Sequence, residues 1–322
     1  MPERRKLGKS GPEITTVGFG AWAAGGPWKV GWGPQSDDDS IAAIRRSIEL
    51  GCNWIDTAAI YGLGHSEVVV GKALEGIDRS TVIVATKCGR VPDETGTPRS
   101  DLRPEAIRLQ LEDSLRRLNT AYIDLFQIHW PDNDNGIPLE ESWAAMAALK
   151  DDGRVRHIGV SNFDTDQLAR CEAVHHIDSL QPPYSLLRRE IETDVLPWCR
   201  QNGVGVIVYS PMQAGLLSGT FQLDRVAEDD WRRRNAFFQE PQLSRNLAFV
   251  ERLRPIAQRQ GKTVGQLAIA WTIAQPGVTA AIVGARRPEQ VEQNVGAMNW
   301  ALTPVELDEV QSAYDSAMGT QE

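Results

Sequence analysis

The sequence predicts an α/β fold, a closed (β/α)8 TIM barrel formed by one domain spanning residues 1–322. Three observations carry this expectation. Short apolar runs recur at residues 17–19, 53–55, 82–85, 124–128, 157–160, 179–181, 204–208 and 280–283, which makes eight strand candidates. Helical patterns separate most of them, as parallel strands with crossover helices require. Two long segments of low periodicity follow strands, where such barrels carry their working loops.

Each apolar run is short and continuous, as expected of a strand buried on both faces. Ahead of them, Gly8-Lys9-Ser10-Gly11 reads as the turn of an N-terminal β-hairpin between residues 5–7 and 14–15. Residues 37–50 place Ile41, Ile44 and Ile48 at helical spacing, with acids in the first turn and Gly51 just past the end. Residues 104–118 open on a proline and align Ile107, Leu111, Leu115 and Leu118 on one stripe. Residues 266–274 and 288–298 follow the same logic. The aperiodic segments are residues 23–35, rich in Gly, Pro and Trp, and residues 221–246, which are largely polar. Both are expected as long loops at the C-terminal, active-site face.

Composition narrows the function classes. A net charge of -9 without a long basic block argues against nucleic acid as a partner. The run Trp231-Arg232-Arg233-Arg234 is nearly neutralised by Glu228, Asp229 and Asp230 before it, and reads as a solvated loop. Nothing resembles a secretory signal or a membrane span, so a cytoplasmic protein is expected. Cys52, Cys88, Cys171 and Cys199 are far apart, which points to reduced thiols and no metal site.

Gly18-Phe19-Gly20-Ala21-Trp22-Ala23 matches a dinucleotide fingerprint by spelling. That motif needs a helix starting directly after the glycines to receive the pyrophosphate. Gly25-Gly26-Pro27 and Gly31-Trp32-Gly33-Pro34 follow instead, so the match is mechanically empty.

The chemistry sits after successive strands. The second run leads into Asp56 and Tyr61, the third ends at Lys87 and the fourth at His129. At the C-terminal ends of neighbouring barrel strands these side chains converge. Such a group suits carbonyl reduction, where hydride reaches carbon and the oxygen needs a proton donor. A tyrosine supplies it, a lysine would lower its pKa, an aspartate would hold the lysine charged, and a histidine would orient the carbonyl oxygen. Taken singly, each residue has an ordinary structural explanation; together, after three consecutive strands, they point to catalysis.

The run Gly51-Cys52-Asn53-Trp54-Ile55-Asp56-Thr57-Ala58-Ala59-Ile60-Tyr61-Gly62 resembles an aldo-keto reductase signature, and the resemblance covers essentially the whole chain. Leu118-Asn119-Thr120-Ala121-Tyr122-Ile123-Asp124-Leu125-Phe126-Gln127-Ile128-His129 resembles the family's second motif, and Ile158-Gly159-Val160-Ser161-Asn162-Phe163 its third. The likeness is greatest to bacterial NADPH-dependent members. It implies a catalytic tetrad of Asp56, Tyr61, Lys87 and His129, with Tyr61 as general acid. It also implies coenzyme contacts at Ala21, Trp22 and Asp56, with Ser161, Asn162 and Gln181 on the carboxamide and Tyr209 stacked on the nicotinamide. Ser210, Pro211, Met212, Gly215 and Ser218 would follow the pyrophosphate, and Gly284, Arg286, Gln290, Gln293 and Asn294 the adenosine phosphate.

Two positions depart from the family pattern. Where many relatives carry Lys-Ser/Thr and a later Arg for the 2′-phosphate, this chain has Gly284-Ala285 and Gln290, leaving Arg286 to supply the charge. Thr220 stands where some relatives have a lysine. The implied cofactor is NADP(H), with NAD(H) second. Trp22 and Trp130, with Tyr61 and His129, are expected to line the substrate pocket. Trp28, Trp32 and Trp231 also lie on loops expected to face the mouth, and His65 reads as a helix start; the other histidines carry no motif. The expected activity is hydride transfer between NADP(H) and an aldehyde, ketone or sugar. The rivals are a slow-turnover nicotinamide-sensing binding protein and a barrel enzyme that needs no nicotinamide. Substrate identity, direction and oligomeric state are not encoded in any motif of the chain.

Overall fold

A computed structural model describes residues 2–132 and 136–319. In chain order the elements begin with strands β1 (Arg4–Lys6), β2 (Glu13–Thr15) and β3 (Val17–Gly20), then α1 (Asp37–Glu49), β4 (Trp54–Asp56) and α2 (His65–Leu74). There follow β5 (Ile83–Cys88), β6 (Arg90–Pro92), β7 (Pro98–Ser100), α3 (Pro104–Leu118), β8 (Ile123–Ile128) and α4 (Leu139–Asp151). The second half comprises β9 (Val155–Ser161), α5 (Thr165–Val174), β10 (Ser179–Gln181), α6 (Val195–Asn202) and β11 (Gly205–Tyr209). The chain then runs through α7 (Gln242–Arg259), α8 (Val264–Ala274), β12 (Ala280–Gly284), α9 (Pro288–Val295) and α10 (Pro304–Met318).

Strands β3, β4, β5, β8, β9, β10, β11 and β12 pair in parallel, and β12 returns to β3 to close the barrel. A large apolar layer fills the space between barrel and helices. Inside the barrel, Trp54, Ala85, Leu125, Ile207, Ala280 and Ile282 pack with Leu7 and Ile14 from the β1–β2 hairpin, which plugs the N-terminal end. Trp54 donates its indole N–H to the Thr15 carbonyl at 2.9 Å, so the plug is hydrogen-bonded as well as packed. Burying Leu7 and Ile14 contributes about 1.5–3 kcal/mol each.

The fingerprint-like glycines have a packing reason. Gly18 and Gly20 lie inside β3 and are followed by a single 3-10 turn (Ala23–Gly25), not by a helix receiving a phosphate. A Cβ on Gly18 would sit 2.0 Å from the Trp54 ring. Gly18 is therefore the space that Trp54 occupies.

Two segments differ from the sequence reading. Residues 221–246 form three single 3-10 turns and then enter α7 at Gln242, with Phe238 and Leu243 packed on Leu216 in a small separate core. Asn246 hid the helix from a periodicity search: it is buried within the apolar stripe and donates to the Phe237 carbonyl at 2.9 Å. The β6–β7 hairpin after β5 was also not apparent, because the side chain of Asp93, accepting from the amides of Thr95 and Thr97 at 2.9 Å each, sets its turn. Among the described residues no helix is long and apolar enough to cross a membrane.

Gly18→Val tests the packing argument. It should lower stability by at least about 1–3 kcal/mol through overpacking against Trp54, read as a drop in thermal midpoint. A fully stable variant that had lost only nucleotide binding would return Gly18 to a phosphate-binding role.

Candidate active site

The C-terminal ends of β4, β5 and β8 bring Asp56, Lys87 and His129 together, and Tyr61 arrives from the loop after β4. Lys87 Nζ donates to Asp56 Oδ2 at 2.6 Å and to the Thr57 carbonyl at 2.9 Å, and lies 3.5 Å from the Tyr61 hydroxyl. The rings of Tyr61 and His129 meet edge to face at 5.6 Å. Lys87 and Asp56 are both fully buried, so the pair stands out of water inside the barrel mouth.

Local backbone geometry places Tyr61. Gly62, Leu63 and Gly64 all have positive φ, which turns the chain sharply before α2. A Cβ on Gly62 would lie 2.1 Å from the Gly25 carbonyl oxygen, so the tyrosine loop is pressed on the first long loop. Behind the lysine, Glu67 accepts from Thr86 Oγ1 and Arg117 Nε, each at 2.6 Å. Neither Glu67 nor the Thr57 carbonyl is visible as a functional group in the sequence, since neither belongs to a catalytic spacing. Both are found only by asking what satisfies a buried lysine and its surroundings.

Burial dominates the ionisation of the site. It pushes the Asp56 carboxyl up and the Lys87 ammonium down, while their mutual attraction opposes both drifts. Gln181 supports the ionised aspartate by donating to Oδ1 at 2.8 Å. Burial and then the Asp56 charge hold Tyr61 well above its ordinary value. The net shift is thus opposite to the lowering expected from Lys87, because burial outweighs any pull of the ammonium. Tyr61 therefore keeps its proton at neutral pH. Burial, with Lys87 and Arg90 nearby, pushes His129 well below its ordinary value, so it is a neutral imidazole.

The residues expected at the carboxamide form one connected patch. Ser161 Oγ donates to the Gln181 carbonyl at 2.7 Å. Asn162, at φ 64°, donates to the His129 carbonyl and to Ser161 Oγ, both at 3.0 Å. Tyr209 donates its hydroxyl to Asn162 Oδ1 at 2.8 Å, and burial pushes that hydroxyl up to about 12. Ala21 donates its amide to the Asp56 carbonyl at 2.8 Å, which pins the first long loop to β4.

After β11, Ser210, Gln213, Ala214 and Gly215 all take positive φ, so the segment through Pro211, Met212 and Ser218 folds into two tight turns. Nothing lies within 4 Å of where a Gly215 Cβ would be, which leaves an open backbone cradle. After β12, Gly284 is exposed; its carbonyl accepts from Asn294 Nδ2 at 3.2 Å, and the Arg286 amide donates to Gln290 Oε1 at 2.8 Å. The Gln293 carbonyl accepts from Gln266 Nε2 at 2.8 Å.

Aromatic rings roof the site. Trp22 lies 6.5 Å from Tyr61, 5.4 Å from Trp32 and 6.0 Å from Trp231, and Trp28 lies 6.4 Å from Tyr61. Trp130 is 40% exposed and outside this cluster.

A protonated tyrosine, a buried lysine beside it and an open backbone turn after the seventh barrel strand are features that carbonyl reduction can use. The Aldo/keto reductase family model matches residues 16–315, and the chain belongs to that family. It is thus a nicotinamide-using oxidoreductase that acts on carbonyls. It is 36% identical over 305 residues to the NADH-specific methylglyoxal reductase of Escherichia coli (strain K12), covering 91% of this chain and 92% of that one. The solved glycerol dehydrogenase AKR11B4 from Gluconobacter oxydans superposes with a TM-score of 0.90 at 35% identity, covering 99% and 97% of the two chains. An aldo/keto reductase from Klebsiella pneumoniae in complex with NADP and acetate gives 0.74 at 32% identity, with 98% and 96% covered.

Asp56→Asn removes one charge of the buried pair and leaves Lys87 with only neutral partners within hydrogen-bonding distance. It should cost about 3–5 kcal/mol of stability by denaturant titration. Adding Lys87→Met to that variant should recover part of the loss. An Asp56→Asn protein as stable as the parent would contradict the pairing.

Proposed function

We infer that this chain reduces the carbonyl of an aldehyde, ketone or sugar with NADP(H), and runs the reverse oxidation of the alcohol, with Tyr61 as the general acid–base. The observation that carries this reading is the Tyr61 hydroxyl held protonated beside His129, 3.5 Å from a buried lysine, under a roof of tryptophans.

The nicotinamide, when bound, supplies hydride to the carbonyl carbon. Tyr61 gives its proton to the carbonyl oxygen as negative charge builds there, and Lys87 stabilises the phenolate left behind. Asp56 keeps Lys87 in place, and neutral His129 donates an N–H to the same oxygen and sets its angle. Trp22 and Trp28 narrow the mouth and exclude water. Trp130, further out, meets the distal part of a longer substrate.

The chain's own residues fit the coenzyme. Ser161, Asn162 and Gln181 present amide and hydroxyl groups for the carboxamide, and Tyr209 offers a ring face. The open cradle at Ser210, Pro211, Met212, Gly215 and Ser218 suits the pyrophosphate. Gly284, Arg286, Gln290, Gln293 and Asn294 frame the adenosine end. NADP(H) is preferred over NAD(H) because Arg286 has no carboxylate within ion-pair distance among the described residues, so its charge is free for a phosphate.

Initial rates with NADPH and with NADH over short aldehydes, aromatic aldehydes and sugars test the reading. Saturable turnover preferring NADPH is expected, and Tyr61→Phe should lower it by about 10²- to 10⁴-fold while still binding coenzyme. Preference for NADH would overturn the coenzyme assignment. Near-normal turnover of Tyr61→Phe would remove Tyr61 from its role. Binding without turnover on every carbonyl would favour a nicotinamide sensor.

A further inference from the structure

Gln35 and Arg286 are far apart in sequence and locked together in the fold. Arg286 Nε donates to Gln35 Oε1 at 2.7 Å, and Gln35 Nε2 donates back to the Arg286 carbonyl at 2.9 Å. Arg286 Nη2 also donates to the Pro34 carbonyl. Gln35 thus grips both ends of one residue, side chain and main chain.

Every acceptor on this guanidinium is neutral. A guanidinium has five N–H donors, and here the Nε and one Nη2 hydrogen are used. The end-on pair formed by Nη1 and the other Nη2 hydrogen remains, and among the described residues no acid cancels the positive charge. That is the state of an arginine fixed in orientation but still available to an anion.

The clamp also ends the first long loop. That loop is pinned at its start by Gly25 against Gly62, and in its middle by Lys29 Nζ donating to Thr97 Oγ1 at 2.5 Å. Gln35 is its third anchor. Trp32, three residues before Gln35, packs on Trp22 and Trp231, with the Arg232 guanidinium 4.5 Å above its ring. The tryptophan roof over Tyr61 is therefore strapped to the adenosine end of the coenzyme segment.

We propose that Gln35 is a positioning residue with two roles: it orients Arg286 toward the 2′-phosphate of the coenzyme, and it holds the tryptophan loop over the substrate. The proposal rests on the assignment of Arg286 to that phosphate. Losing Gln35 leaves Arg286 charged but mobile, so the phosphate contact must order it at the moment of binding. Replacing Gln35 by glutamate turns the Nε contact into an ion pair, which consumes the arginine's charge and keeps the loop attached through one of its two contacts, the bond donated to the Arg286 carbonyl being lost.

Coenzyme dissociation constants for NADPH and NADH, read by quenching of tryptophan fluorescence, separate these roles in Arg286→Ala, Gln35→Ala and Gln35→Glu. Arg286→Ala should weaken NADPH by about 10- to 100-fold, the loss of a charged hydrogen-bonding group, and leave NADH binding where it was. Gln35→Ala should weaken NADPH by about 3- to 10-fold, again sparing NADH. With NADH as coenzyme, Gln35→Ala should also raise the aldehyde KM by more than it lowers kcat. Gln35→Glu should lose NADPH as Arg286→Ala does, yet raise the aldehyde KM with NADH by less than Gln35→Ala does. An Arg286→Ala variant with parental NADPH affinity would overturn both the phosphate assignment and the proposal. If Arg286→Ala loses NADPH selectively while Gln35→Ala and Gln35→Glu bind both coenzymes and aldehyde as the parent does, only the role of Gln35 falls.

Discussion

The contact between Lys87 and Asp56 is the constraint on which the site depends. Two opposite charges 2.6 Å apart and out of water tolerate little displacement, because each would be left uncompensated. Their positions are therefore fixed by β4 and β5, which are held in register by Asp56 opposite Ala85. Tyr61 and His129 are then arranged around a fixed cation. The closed barrel makes this possible: a parallel sheet closed on itself aims successive strand ends at one point.

The barrel's two ends divide the work. The hairpin plug and Trp54 close the N-terminal end with apolar surface, so the polar site has a dry floor. The C-terminal end is built from loops that touch one another. Gly25 on Gly62, Lys29 on Thr97 and Gln35 on Arg286 are contacts between loops from different strands. The tryptophan roof and the segment proposed for the coenzyme therefore share supports.

Much of this was legible in the sequence. The eight strands lie where short apolar runs fall, and α3 spans Pro104–Leu118 as its proline start and leucine stripe indicate. Asp56, Lys87 and His129 could be placed because strand ends converge by topology alone. What the sequence concealed was set by contacts between distant residues. The Gln35–Arg286 clamp joins two loops without a motif. The gathering of Trp28, Trp32 and Trp231 with Trp22 needed the fold of those loops. The direction of the Tyr61 shift depended on its burial and on the Asp56 charge beside it, which residue types cannot give. The start of α7 was hidden by one buried asparagine in its apolar stripe.

Asp56 and Lys87 are proposed to act on Tyr61 as one unit. Single-turnover reduction of one aldehyde by Asp56→Asn, Lys87→Met and the double variant, with coenzyme saturating, measures this directly. Each single change should remove most of the rate, and the double variant should be no slower than the worse single one. Losses that multiply in the double variant would show two independent contributions and contradict the coupling.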